Sequence, residues 1–84
     1  QKAIYMKSQL IEKGFKVINE ESSLREFIVE TILPAKKIIA EMGSRGFLAG
    51  IEYSENLLLV ALTEKRTKDE IDNYIKQFSE VNHG

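Results

Sequence analysis

The sequence predicts an α+β domain in which a small, mainly antiparallel sheet of three to four strands packs with three helices. Three observations carry that prediction. Apolar residues recur at helical spacing in three separate segments, Lys2–Ile11, Ala35–Met42 and Ile71–Phe78. Between them lie runs of strand length rich in Phe, Ile, Val and Leu, at Phe15–Ile18, Arg25–Leu33 and Leu57–Leu62. A half-apolar helix and a sheet bury their greasy sides most economically against each other, so the order helix, strand, strand, helix, (short strand), strand, helix reads as one layered domain.

Each element has a local reason. In the first segment Ala3, Ile4, Leu10 and Ile11, with Met6, fall at helical spacing. Gly14 follows as a stop, because glycine adopts the left-handed backbone at low cost. Phe15–Ile18 reads as a short strand, Asn19–Ser23 as a polar turn and Arg25–Leu33 as a second strand antiparallel to the first. Pro34 suits the first position of a helix, where its missing N–H costs nothing. Ala35, Ile38, Ile39 and Met42 then form one apolar stripe, and Gly43 is read as the helix end. The glycine-rich stretch Ser44–Gly50 reads as a connection with a short strand at Phe47–Ala49, and Ile51–Asn56 as a loop. Leu57–Leu62 is an unbroken apolar run, which predicts an interior strand covered on both faces. The last helix presents Ile71, Tyr74, Ile75 and Phe78 on one face, and its end, Ser79–Gly84, is expected to fray.

Composition narrows the function classes. A chain of 84 residues is one domain. The net charge of −1, with acids and bases interspersed, argues against a nucleic-acid binder, which needs a basic face. There is no cysteine, which excludes thiol catalysis and disulfides and fits a reducing cytoplasm. No apolar run reaches the roughly 20 residues of a membrane span. The chain opens on Gln1 inside what reads as a helix already under way, which suggests a domain of a longer protein.

The candidate sites divide into structural and chemical readings. Thr67 and Glu70 form the pattern T-x-x-E ahead of an apolar face, a capping box in which each satisfies a backbone N–H of the other's region. Asp69 adds negative charge at the positive end of that helix. The cluster Glu64-Lys65-Arg66 is the sharper candidate for a substrate or interface site: it lies at the end of the apolar strand, and a guanidinium can grip a carboxylate or phosphate through its planar fork. The alternative is a solvated join between strand and helix. Gly43, Gly46 and Gly50 do not have the strand, G-x-G-x-x-G, helix order of a dinucleotide cradle. Lys36 and Lys37 fall on the polar side of their helix and read as solvated charges, whereas a Schiff-base lysine needs a desolvated pocket. His83 has no partners for a metal or a triad and reads as part of a mobile tail. No nucleophile, base and oxyanion hole assemble from this sequence, so no catalytic, cofactor-binding or metal-ligating residue is assigned.

The run "LLLVALTEKRTKDEIDNYIKQF", preceded by "GFLAGIE", resembles the C-terminal end of glycine dehydrogenase (decarboxylating) subunit 1, the P-protein of the glycine cleavage system in its split form. Arg45, Gly46, Gly50 and Thr63 to Thr67 match the "RGxxxG" segment and "TEKRT" join of that family. "PAKKIIAEMGSRGF" and "EFIVE" resemble its preceding helix and strand, whereas "YSEN" is shorter than the loop many members carry. The resemblance implies the small C-terminal domain of a type I pyridoxal-phosphate enzyme, non-catalytic alone. It implies pyridoxal phosphate in the parent complex but none in this fragment, because the cofactor lysine of the split family belongs to glycine dehydrogenase subunit 2. Subunit 2 and the lipoyl H-protein are the implied partners. The alternatives are the small domain of another type I pyridoxal-phosphate enzyme, such as an aminotransferase, and a free-standing ferredoxin-like interaction or ligand-sensing module.

Overall fold

A computed structural model describes residues 2–19, 25–62 and 65–84. Three helices, α1 (Lys2–Glu12), α2 (Ala35–Ser44) and α3 (Lys68–His83), pack with four strands, β1 (Val17–Asn19), β2 (Glu26–Glu30), β3 (Ile51–Ser54) and β4 (Leu57–Ala61). The strands form a single sheet in the order β1-β2-β4-β3, every neighbouring pair antiparallel. The expected fold class and element order are therefore observed. The expected polar turn at Asn19–Ser23 lies outside the described residues except for Asn19, which closes β1.

The helices stop for local reasons. At Gly14, with φ +95°, the N–H of Phe15 reaches the Leu10 carbonyl at 3.0 Å and that of Gly14 reaches Ile11 at 2.9 Å. Gly46, with φ +86°, repeats the same pair of bonds to Met42 and Gly43. Gly43 is therefore inside α2, not its end, and the stop falls three residues later because Gly46, not Gly43, adopts the left-handed backbone. Pro34 is the residue ahead of the helix, and the N–H of Ala35 is satisfied by the Glu55 carbonyl at 2.7 Å, which ties α2 to the β3–β4 turn.

One face of the sheet carries the core. Phe27 and Val29 of β2 and Leu58 and Val60 of β4 point into a cluster with Leu10, Ile38, Met42, Ile71 and Phe78. The rings of Phe15 and Phe78 meet edge-on at 4.9 Å, and Tyr74 stacks on Phe78 at 5.9 Å. The helix faces follow the predicted stripes in α2 and α3, where Ile38, Met42, Ile71, Tyr74, Ile75 and Phe78 are buried and Ile39 is half-buried against the cluster. In α1 the buried positions are Ala3, Met6 and Leu10, while Ile4 and Ile11 are exposed. Spacing alone permitted either stripe, and the fold selects the one that buries Ala3, Met6 and Leu10 against α3 and β1.

Three further expectations are corrected. β4 is interior in the sheet order but covered on one face only: Leu57 and Leu59 are half-buried and Ala61 is exposed. The strand placed at Phe47–Ala49 is instead Ile51–Ser54, the stretch expected to be a loop, and β2 ends at Glu30 rather than Leu33. Ser79–His83 does not fray but completes α3, where Val81 and Asn82 are buried and the His83 ring lies 5.8 Å from Phe15. Asn82 explains both the firm helix end and the short strand: its side-chain oxygen accepts from the N–H of Ile32 at 2.9 Å, and its amide donates to the Phe78 carbonyl at 2.8 Å. The chain turns at Thr31–Leu33 around that polar anchor.

Candidate functional site

The start of α3 borders the site. Thr67 precedes the helix in extended conformation, its hydroxyl accepts from the Glu70 N–H at 3.1 Å, and the Glu70 carboxylate accepts from the Thr67 N–H at 2.8 Å. The predicted capping box is thus formed. The hydrogen bonds to Thr67, first that of its backbone N–H, hold the Glu70 carboxyl below the usual glutamate range, and the nearby Arg66 charge adds to them. Asp69 lies in the same first turn.

Of the predicted cluster, Glu64 lies outside the described residues, as does Thr63. Lys65 and Arg66 are exposed. Arg66 approaches Glu70 with Nη1 3.9 Å from Oε2, an i,i+4 ion pair too long for a hydrogen bond. Its side chain also lines a cleft of about 300 Å³ with apolar walls that include Leu48, Leu59, Leu62 and Ile71. That volume is at the small end of the roughly 300–1,000 Å³ range of ligand clefts. The structure therefore brings Arg66 to the mouth of an apolar recess. Lys65 is not among the cleft's lining residues.

The cleft exists because β3 stops early. β3 pairs with β4 from Ser54↔Leu57 to Ile51↔Leu59. Two steps further along that register Ala49 would face Ala61, but the Ala49 carbonyl instead accepts from the buried Tyr74 hydroxyl at 2.7 Å. Gly50, at φ +150°, lies so close to the Leu59 carbonyl that a Cβ there would come within 2.4 Å of its oxygen. The connection leaves the sheet at this point and the recess opens beside Val60–Leu62. Burial pushes the Tyr74 phenol above the usual tyrosine range.

The remaining polar groups serve the frame. The Tyr5 hydroxyl donates to Asp72, and Lys68 lies 3.7 Å from the same carboxylate and 5.3 Å over the Tyr5 ring, joining α1 to α3. The bond to Asp72 raises the Tyr5 pKa above its ordinary value. Arg45, after α2, donates to Gln77 at 2.7 Å and to Glu80 at 3.1 Å on α3. Lys36 and Lys37 are exposed on α2. Among the described residues no group of three or more His, Cys, Asp or Glu side chains is placed to hold a metal ion, and no helix is long and apolar enough to cross a membrane. Sequence reasoning missed the Tyr74–Ala49 bond and Asn82. The second carried a signal, a lone amide in step with Ile71, Ile75 and Phe78 on the buried face.

These features define a class: a small α+β domain with helices on one side of its sheet and an apolar cleft that a guanidinium lines. No family profile matches the chain, and no solved structure gives a significant match. Curated proteins do. The chain is 39% identical over 88 residues to the probable glycine dehydrogenase (decarboxylating) subunit 1 of Macrococcus caseolyticus, covering 98% of this chain and 20% of that protein. Proteins of the same description from Staphylococcus haemolyticus and Chlorobium limicola are 38% and 42% identical, over 95% and 89% of this chain and 19% and 18% of their own lengths. The chain belongs to the glycine dehydrogenase (decarboxylating) subunit 1 family as the counterpart of one small domain. It spans about a fifth of the length of the curated relatives it matches.

Proposed function

We infer that this chain serves as the C-terminal small domain of a glycine dehydrogenase (decarboxylating) subunit and makes or breaks no bond by itself. The observation that supports this most is the continuous alignment of 98% of the chain with about a fifth of one relative, rather than scattered motifs. In this reading the parent acts on glycine in the cytoplasm, with subunit 2 and the lipoyl H-protein as partners and pyridoxal phosphate as the cofactor of the complex.

The residues of this chain do not fit a site for that cofactor. An aldimine lysine needs a desolvated amine. Lys36 and Lys37 are exposed on the polar side of α2, and no lysine among the described residues lines the cleft. The family resemblance assigns the cofactor's lysine to subunit 2, and the exposed Lys36 and Lys37 are compatible with that. The role left for Glu64-Lys65-Arg66 is at the border of the domain, facing the large domain or the partner subunit, where Arg66 acts on assembly or substrate access.

The reading frame upstream of Gln1 tests this. A continuous frame encoding a large domain, with a total length near five times that of this chain, is the expected result. A start codon immediately ahead of Gln1 overturns the parent-subunit reading and favours the free-standing module.

A further inference from the structure

The side of the sheet away from the helices carries its own apolar row. Ile18 of β1 pairs with Ile28 of β2, Ile28 with Leu59 of β4, and Leu59 with Ile51 of β3. Directly paired residues share a face, so four aliphatic side chains run across all four strands in one line. None of them belongs to the helix-side cluster. Ile51 is 67% exposed and Ile18 39%, with Leu59 half-buried and Ile28 buried at the centre. At the β3 edge the row runs into the cleft, because Ile51, Leu59 and Ala61 line it together with Arg66.

We propose that this row and the Arg66 cleft are one docking surface, and that its occupant is an apolar surface of the rest of the parent polypeptide. The proposal rests on the parent-subunit reading and adds the face through which the domain is held. The length of the relatives supplies the occupant: about four fifths of a chain such as that from Macrococcus caseolyticus lies outside the segment matched here. An aliphatic row across a whole sheet, continuous with a recess, is the kind of contiguous patch that marks an interface. The three helices already shield the opposite face, and on this one the two ends of the row, Ile18 and Ile51, are left exposed. Arg66, which lines the apolar recess and lies 3.9 Å from Glu70, then stands at the edge of the interface rather than in open solvent.

Thiol accessibility in the parent-length protein tests it, with other cysteines blocked or resolved by mass spectrometry. Ile51→Cys and Ile18→Cys report on the two ends of the row, and Lys36→Cys on the exposed side of α2 is the reference. Labelling rates are read in the native and the urea-unfolded protein. The expected result is that both row positions are protected at least about ten-fold on folding while Lys36→Cys is not. If either row position labels as fast as Lys36→Cys in the native parent, the docking surface is wrong. That outcome leaves the parent-subunit reading standing, since the latter fails only if no parent-length frame exists or if the parent lacks the glycine reaction.

Discussion

The hydroxyl of Tyr74 in α3 donates to the carbonyl oxygen of Ala49, 25 residues away, at 2.7 Å. Both residues are buried, and the bond ties the connection ahead of β3 to α3. Tyr74→Phe removes the donor and leaves a buried carbonyl unpaired. Urea unfolding should show a loss of about 1–3 kcal/mol. A variant as stable as the parent chain would mean that water or another donor replaces the phenol.

Gly50 and Gly43 make opposite predictions under the same change. At Gly50 a methyl group would come within 2.4 Å of the Leu59 oxygen on a backbone at φ +150°. Gly50→Ala should therefore destabilise the fold by about 1–3 kcal/mol. Gly43 lies inside α2 with nothing within 4 Å of an added Cβ. Gly43→Ala should stabilise by about 0.5–1 kcal/mol through helix propensity. Thermal melts of the two variants should move in opposite directions.

The capping box supplies a pH-dependent term. Thr67→Ala should cost about 1 kcal/mol. The Glu70 carboxyl is held below its ordinary value by the Thr67 N–H. The folded chain thus binds fewer protons there than the unfolded chain. The resulting stability is present in full above the ordinary glutamate value of 4.5 and is lost as pH falls through the lower folded value. The stability gap between the parent chain and Glu70→Gln should shrink in denaturation series taken at successively lower pH beneath that value. A constant gap would show that the charge of Glu70 contributes nothing.

Much of this was legible in the sequence because it is local. The α2 and α3 stripes, the stop at Gly14 and the Thr67–Glu70 box are set by residues within a turn or two of one another, and the structure forms each of them. β3 was missed although Ile51-Glu52-Tyr53-Ser54 alternates apolar and polar residues: four residues between Gly50 and the polar Glu55-Asn56 turn make too short a run to stand out from a loop. The choice of stripe in α1 depended on where α3 and β1 lie. The reach of Tyr74 to Ala49 and of Asn82 to Ile32 spans 25 and 50 residues, beyond any local pattern. At the site, Arg66 was picked out by its residue type at a strand end, but the cleft beside it follows from the early stop of β3, which the sequence did not reveal.

Arg66 separates a border role from a solvated join. Its side chain is 45% exposed and its ion pair with Glu70 is long. Arg66→Ala in the isolated chain should change stability by no more than about 0.5 kcal/mol. In the assembled parent the same change should weaken association with subunit 2 or raise the apparent Michaelis constant for glycine, read by sedimentation and steady-state kinetics. If neither moves, Glu64-Lys65-Arg66 is only a polar join.

Glycine-dependent carbon dioxide exchange reads out whether this segment works as part of a glycine dehydrogenase subunit. The parent-length protein, reconstituted with subunit 2, the lipoyl H-protein and pyridoxal phosphate, is compared with a version lacking this segment and with the 84-residue chain supplied in place of the parent. The account predicts exchange with the intact parent, loss of exchange without the segment, and none from the chain with subunit 2 alone. Exchange that is unchanged when the segment is deleted, or its complete absence from the intact parent, would contradict the assignment of this chain as a working small domain of a glycine dehydrogenase subunit.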